Sequence, residues 1–419
     1  MIIYFDHSAT TPVDEKVMKA MLPYFSNTFG NASSIHTFGQ EALSGVDKAR
    51  QQAADFLHCS VNEIVFTSGA TESDNLAIKG FANALRKKGK QYKDMHMITS
   101  LVEHDAVLET FKELEKKGVS VTYIKVQKNG VVDLDDLQKV IKDNTVLVSI
   151  MWVNSEVGAI MPIREIGKTI KKINDKRESD WKKMRVSERG IKPEPIIFHT
   201  DATQAVNFLN CDVKWNYIDM LSMSGHKIYG PKGVGLLYKK QGVPLLSLQK
   251  GGHHENNLRS GTLNVTGIVG MGAALSLLGT GEMGEASEAQ KNNNLKISKV
   301  RDYLAEKVLK NIPDAILNTD ITNSTPSHAH FSLLGIEGES ILLSLDLEGV
   351  AVSTGSACAS GSLKPSHVLL AMGIAVEVAH NSVRITLGKN NTKAEVDKFI
   401  KALIPICERL RKMNPLYKK

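Results

Sequence analysis

The sequence predicts an α/β fold built on a mostly parallel sheet, followed by a smaller α+β unit. Three observations carry that reading. Short, β-rich apolar runs alternate with helix-like stretches through the first 240 residues, as in a parallel sheet covered on both faces. After about Gly267 the order changes, and long helix-like segments precede shorter strands. At 419 residues the chain has room for one large and one smaller domain.

The strand candidates of the first part are residues 63–67, 95–99, 146–150 and 196–200, each a short run rich in Ile, Val, Phe, Thr or Met. Between them, residues 46–56, 73–88, 105–117 and 134–142 carry helical spacing of apolar positions. In such sheets functional residues collect beyond the carboxyl ends of the strands. The second part offers helices at 268–278 and 289–310, strands at 329–333 and 382–387, and a closing helix near 393–412. The junction near residues 259–267 is a loop of Ser, Gly, Thr and Asn.

Composition narrows the class. Apolar residues make up 42% and charged residues 23%, as in an ordinary globular protein. The start, Met1-Ile-Ile-Tyr-Phe-Asp-His7, has no basic and apolar leader, and no apolar run is long enough to span a bilayer. A cytoplasmic location with no membrane partner is therefore expected. Net charge is +7, and it is local: residues 171–194 hold nine Lys/Arg against five Asp/Glu, and residues 408–419 hold five against one. The stretch from Lys171 to Pro195 is too charged to pack in a core. It reads as an exposed excursion, either a solvated helical hairpin or a docking element for a transient acidic partner. Trp181, Met184 and Val186 give it a small apolar stripe. Cys59, Cys211, Cys358 and Cys407 lie far apart with no zinc-ligand spacing, so free thiols and no metal site are expected.

Four segments point to chemistry. Phe66-Thr-Ser-Gly-Ala-Thr-Glu-Ser-Asp-Asn75 follows a strand and opens a helix, where small residues and exposed N–H groups bind anions; it also fits a plain capped turn. Phe198-His-Thr-Asp-Ala-Thr-Gln204 ends a strand on Asp201, a carboxylate able to keep a ring nitrogen protonated, or simply a helix cap. Met223-Ser-Gly-His-Lys227 sets a lysine among small and polar residues, fitting a Schiff-base amine better than a solvated charge. Glu103-His104-Asp105 follows another strand, and His104 is either a proton carrier over a ring or structural. A fifth segment, Val352-Ser-Thr-Gly-Ser-Ala-Cys-Ala-Ser-Gly-Ser-Leu-Lys-Pro365, surrounds Cys358 with Gly, Ser, Thr and Ala, as in a loop with an exposed tip. Burial suits Cys59, Cys211 and Cys407, which have apolar or helix-like neighbours.

In order and spacing these segments resemble the cysteine desulfurase family (NifS/IscS-like) of fold-type I pyridoxal-phosphate enzymes. The likeness runs from Tyr4-Phe-Asp-His-Ser-Ala-Thr-Thr-Pro12 to Asn414-Pro-Leu-Tyr417. It implies a homodimer whose large domain, residues 16–258, holds a mostly parallel seven-stranded sheet, with residues 1–15 and 259–419 forming the small α+β domain. It implies that Lys227 holds pyridoxal 5'-phosphate, that Asp201 pairs with the ring nitrogen and that Gln204 reaches the phenolic oxygen. His104 would stack on the ring. Thr71, Ser224 and His226 would bind the phosphate, with Ala70 and Asn154 also among the cofactor positions. Thr262 would complete the phosphate site of the second subunit. Asn154 and Arg384 would orient the substrate, Arg384 by its carboxylate.

The fifth segment resembles the longer-loop class of the family. L-cysteine would become L-alanine, and the Cys358 thiolate would take the sulfur as a persulfide for an acceptor or scaffold protein. Iron–sulfur cluster assembly or tRNA thiolation would use it. A selenocysteine lyase would share the cofactor without needing the Cys358 loop, and a catalytically idle assembly scaffold would not need the intact set Lys227, His104, Asp201, Cys358 and Arg384. One departure stands out: His328-Ala-His330 replaces the usual apolar residue and asparagine. Two histidines at i, i+2 share a face, but two ligands leave a metal site incomplete, so surface or packing roles are expected.

Overall fold

A computed structural model of the chain describes residues 2–184, 193–282, 284–354, 365–415 and 417. The chain opens with β1 (Ile3–Tyr4), α1 (Glu15–Met21), α2 (Pro23–Ser26) and α3 (Thr37–Leu57). Strands and helices then alternate: β2 (Ile64–Thr67), α4 (Ala70–Lys87), β3 (His96–Ser100), α5 (Asp105–Lys116), β4 (Ser120–Ile124), α6 (Leu134–Val140) and β5 (Thr145–Ser149). Next come α7 (Ile163–Lys183), β6 (Ile197–Asp201), β7 (Met220–Ser224), β8 (Gly235–Lys239) and α8 (Val265–Leu278). The last part holds α9 (Glu288–Asn311), β9 (Ala315–Leu317), β10 (His328–Leu333), α10 (Gly338–Leu347) and β11 (Val350–Ala351). It closes with α11 (His367–Ala371), α12 (Val376–His380), β12 (Ser382–Thr386) and α13 (Lys393–Met413).

The expected seven-stranded sheet is present, in the order β2-β8-β7-β6-β5-β3-β4. Its pairs are parallel except for β8, which lies antiparallel between β2 and β7. Strands β2, β3, β5, β6 and β7 are buried along their whole length, which is why they read as continuous apolar runs. Alternation decides which core each side chain joins. Ile98, Val148, Phe198 and Leu221 pack with α3 and α8, while their neighbours Met97, Leu147, Ile197 and Met220 pack with α4 and α5 on the other face.

A separate core surrounds Phe5, Phe331 and Phe399, all fully buried, between α9, α13 and a three-stranded antiparallel sheet in the order β12-β10-β9. Truncating any of these rings to alanine would cost about 3–5 kcal/mol. Helix α8 belongs to the first core, packed on α3. Among the described residues no helix is long and apolar enough to cross a membrane.

Helix α7 runs well into the charged stretch. Its outer turns are exposed, but two side chains fasten it to the sheet. Asn174 exchanges hydrogen bonds with the Ile196 backbone (2.8 and 2.9 Å), and Arg177 donates to the Thr145 carbonyl at 3.0 Å. The expected stripe is described only in part, because Val186 lies outside the described residues.

Candidate active site

Strands β2, β3, β5, β6 and β7 end on one edge of the sheet, and a cavity of about 620 Å³ opens there. Its walls include Ala70, Thr71, His104, Asp201, Gln204, Ser224, His226, Lys227 and Arg384. The segments that carry these residues are far apart in sequence, so the fold itself assembles the site.

One wall is the start of α4. Gly69 occupies the cap position and has no side chain to cap with, so the first-turn N–H groups at Ala70 and Thr71 face outward beside the Thr71 and Ser224 hydroxyls. Gly235 brings that wall close: a Cβ there would lie 2.5 Å from Gly69 Cα. Opposite, Asp201 ends β6, and one of its carboxylate oxygens accepts the Thr203 N–H at 2.9 Å.

The N-terminal segment seals the site from the side. Lys227 Nζ donates to the carbonyls of Ser8 (2.5 Å) and Ala9 (2.7 Å). Gln204 Nε2 donates to the Ser8 carbonyl and hydroxyl, both at 3.0 Å. His226 Nδ1 lies 3.1 Å from Thr10 Oγ1, and burial with the nearby Lys227 charge pushes its ring down to about 4, leaving it neutral near pH 7. His104 caps α5 by accepting the Ala106 N–H at Nδ1 (3.1 Å), which assigns the proton of its neutral form to Nε2. Arg384 donates to Asp6 at 2.9 Å and to the Ser155 carbonyl at 3.2 Å. Its Nε is buried without a hydrogen-bond partner.

Buried carboxyls surround the site: Asp74 lines the cavity, and Glu103 and Glu156 are buried next in sequence to the lining residues His104 and Ser155. Asp74 is fully buried, and burial together with the Asp201 charge holds it well above the usual carboxylate range. Burial pushes Glu103 up to about 8, against hydrogen bonds from Ser100 and the Met151 N–H. Glu156 is pushed up to about 7 for the same reason. Asp74 lay inside a segment the sequence singled out, and only its position on the inner side of α4 marks it as part of the site. Ser8, Ala9 and Thr10 carry no local signal of a role, since nothing in their sequence says that an N-terminal segment returns to the strand tips.

Two expected residues stand apart from the cavity, and a third cannot be placed against it. Asn154 is buried behind the wall, its amide donating to the Val102 carbonyl (3.1 Å) and accepting the N–H groups of Glu156 and Val157. Thr262 is exposed on the loop after Arg259. Cys358 lies outside the described residues. The other thiols behave as buried groups: Cys59 and Cys407 are pushed up to about 12 by burial, and Cys211 is raised by complete burial. His328 and His330 are not surface residues; they fill the interior of β10.

An outward-facing helix start, a lysine amine and a strand-tip carboxylate in one cavity fit a molecule with an anionic end, a carbonyl and a basic ring nitrogen. The sequence model of the family described as aminotransferase class-V matches residues 3–176 and 185–399. The cysteine desulfurase IscS of Dictyoglomus turgidum is 45% identical over 413 residues, covering 99% of this chain and 96% of that protein. The IscS of Methanosarcina thermophila is also 45% identical, covering 100% of this chain and 95% of that one. Among solved structures, a NifS-like protein superposes with a TM-score of 0.84 at 36% identity, covering 98% of this chain and 99% of the other. SspA in complex with cysteine superposes with a TM-score of 0.75 at 33% identity, covering 93% and 100%. On these likenesses the chain belongs to the class-V aminotransferase family and, within it, to the cysteine desulfurases.

Proposed function

We propose that this chain takes the sulfur from L-cysteine, releases L-alanine and holds the sulfur as a persulfide on Cys358. The observation that carries the proposal is one cavity shared by Lys227, Asp201 and Arg384, with a family whose members are named cysteine desulfurases. The balance is simple: cysteine and the Cys358 thiol give alanine and the Cys358 persulfide, the sulfur passing from the substrate's Cβ to the enzyme. A thiolate is the fitting acceptor.

The cofactor proposed for the cavity is pyridoxal 5'-phosphate. When bound, it supplies an electron sink that weakens the substrate's bond from Cβ to sulfur. The rest falls to the protein. The α4 start with Ala70, Thr71, Ser224 and His226 would hold the phosphate, and Asp201 would keep the ring nitrogen protonated. Gln204 would face the phenolic oxygen, Lys227 would hold the carbonyl carbon, and His104 would cover the ring and carry protons. Arg384, whose side chain lines the cavity, would take the substrate carboxylate. Asn154 would act from behind the wall.

Other proposals rest on less. A homodimer is supported by exposed Leu22, Phe25, Phe29, Ile35 and Phe38, a group of large apolar side chains gathered near the N-terminus. Thr262, exposed and away from its own cavity, would then serve the partner's phosphate site. The division into residues 16–258 and residues 1–15 with 259–419 is supported by the separate core around Phe5, although α8 sits with the first core. A cytoplasmic location, and a sulfur-acceptor or scaffold protein, complete the proposal. The test is to supply L-cysteine to the holoenzyme and measure alanine and protein-bound persulfide together. Alanine in step with persulfide supports it. Alanine without persulfide, or no alanine, overturns it.

A further inference from the structure

Behind the wall that carries Lys227 lies a second, much smaller cavity of about 10 Å³. It shares Ser8, Thr203, Gln204 and Lys227 with the main cavity and adds His7, Asn207 and Tyr229 on its far side. Two of its lining residues bring buried polar atoms that have no hydrogen-bond partner, His7 Nδ1 and Thr203 Oγ1. Polar atoms unpaired in an interior are costly, and such groups are ordinarily satisfied by protein or by ordered water.

The His7 ring is held in place. It stands edge-on to Tyr4, with centroids 5.0 Å apart, and lies against Gly388, where a Cβ would sit 2.3 Å from its Cε1. The two unpaired atoms belong to different parts of the site. Thr203 follows the tip of β6, and its N–H donates to Asp201 at 2.9 Å. His7 precedes Ser8, whose carbonyl receives both Lys227 and Gln204. Burial pushes the His7 ring down to about 4, so it is neutral near pH 7, and Nδ1 donates or accepts according to its tautomer. A water molecule matches either state. A space of about 10–15 Å³ holds one water, given two to four polar neighbours. The lining contains no carboxylate, so nothing in it favours a metal cation.

We propose that this small cavity binds one structural water, bonded to His7 Nδ1 and Thr203 Oγ1, which ties the N-terminal segment to the Asp201 loop behind Lys227. His7 is then a positioning residue, acting through Ser8 on the two side chains that Ser8 holds. The water site rests on the geometry alone, and its effect on the cofactor rests on the cysteine desulfurase reading.

The test has two arms. A crystal structure of the holoenzyme, at a resolution that shows ordered water, should place one water within about 3.2 Å of both atoms. An empty cavity, or a direct bond from either atom to protein, overturns the proposal. This arm needs no variant, so it decides even where a substitution unfolds the chain. The second arm measures the affinity for pyridoxal 5'-phosphate, by equilibrium dialysis and absorbance, in the unchanged chain, His7→Leu, Thr203→Val and the double variant, with thermal midpoints recorded. Each single substitution removes one anchor of the same water and is expected to weaken cofactor binding about threefold to tenfold. The double variant should bind no more weakly than the weaker single, because the water is lost only once. His7→Asn and Thr203→Ser, which keep a polar atom near the same place, restore affinity. His7 and Thr203 make no hydrogen bond to each other, so a shared loss is the signature of the bridge. Losses that multiply in the double variant, or no loss in either single, overturn the proposal. Failure of the unchanged chain to bind the cofactor would instead remove the parent reading, and the water would still be visible in its crystals.

Discussion

Lys227 donates from Nζ to the Ser8 carbonyl at 2.5 Å, so the amine that closes β7 is fastened to a segment more than two hundred residues away. Ser8 also receives Gln204 and donates to the Ser155 carbonyl. One N-terminal serine thus ties together the residues proposed to hold the cofactor and the loop beside Arg384.

Lys227→Ala removes the amine but leaves the Ser8 contacts to Gln204 and Ser155. The variant is expected to keep its oligomeric state and its thermal midpoint within a few degrees, to lose the absorbance band expected of a lysine-bound cofactor, and to lose turnover by several orders of magnitude. An unchanged spectrum with normal activity would remove Lys227 from the mechanism.

Cys358→Ala and Arg384→Ala separate sulfur transfer from substrate binding. Without the Cys358 thiol, cysteine should still change the cofactor's absorbance with ordinary affinity, yet little alanine should form. Arg384→Ala keeps the thiol and loses a charge-assisted pair to the carboxylate, so cysteine affinity should fall on the order of tenfold to a hundredfold. Full turnover in Cys358→Ala would end the persulfide mechanism.

The fully buried strands were legible because both faces are apolar, and the chemistry was legible because each motif follows a strand. What was not legible depends on returns of the chain. The two-residue strand β1 is too short to carry a periodic signal, and its parallel partner β11 lies 347 residues away in register. Asn154 reads as a site residue from its motif, and no local signal shows that its amide donates to the Val102 carbonyl while accepting two N–H groups of its own loop. The histidines of β10 read as packing or surface residues because nothing in the local sequence places Arg384 across the strand pair.

Glu103 gives a pH test with a definite sign. Its folded value is raised to about 8, above the ordinary glutamate value, because burial favours the neutral acid. Its contribution to stability is complete below about pH 4 and is lost as pH rises towards 8, since the unfolded chain ionises first. Glu103→Gln carries no such loss. The stability of that variant relative to the unchanged chain should therefore climb between about pH 4 and 8, by on the order of a few kcal/mol. Denaturant unfolding at several pH values checks it, and a constant or falling difference would show that Glu103 is charged in the folded protein.

The charged end of α7 offers the last test. The family match breaks between residues 176 and 185, inside this stretch, while Asn174 before the break and Arg177 at its start are bonded to the sheet. Its described outer turns show solvent-exposed i, i+4 pairs, Lys171 with Asp175 and Lys182 with Glu178, which solvent screening leaves with little effect on stability. The proposed role is docking of an acidic sulfur acceptor or tRNA, against the alternative of a solvated excursion. Cutting from Lys171 would also destroy the two anchors, so the informative replacement is residues 179–192 by a short Gly/Ser linker. Cysteine turnover with a small-molecule reductant should stay near its starting value, because among the described residues none that lines the cavity lies in the replaced segment. Acceptor affinity should fall, and its salt dependence should flatten as the charges that screening acts on are removed. The basic residues 408–419 remain in both proteins, so they set the floor of the salt response rather than the difference. Equal affinity and an equal salt slope with and without residues 179–192 would leave the segment a solvated extension of α7.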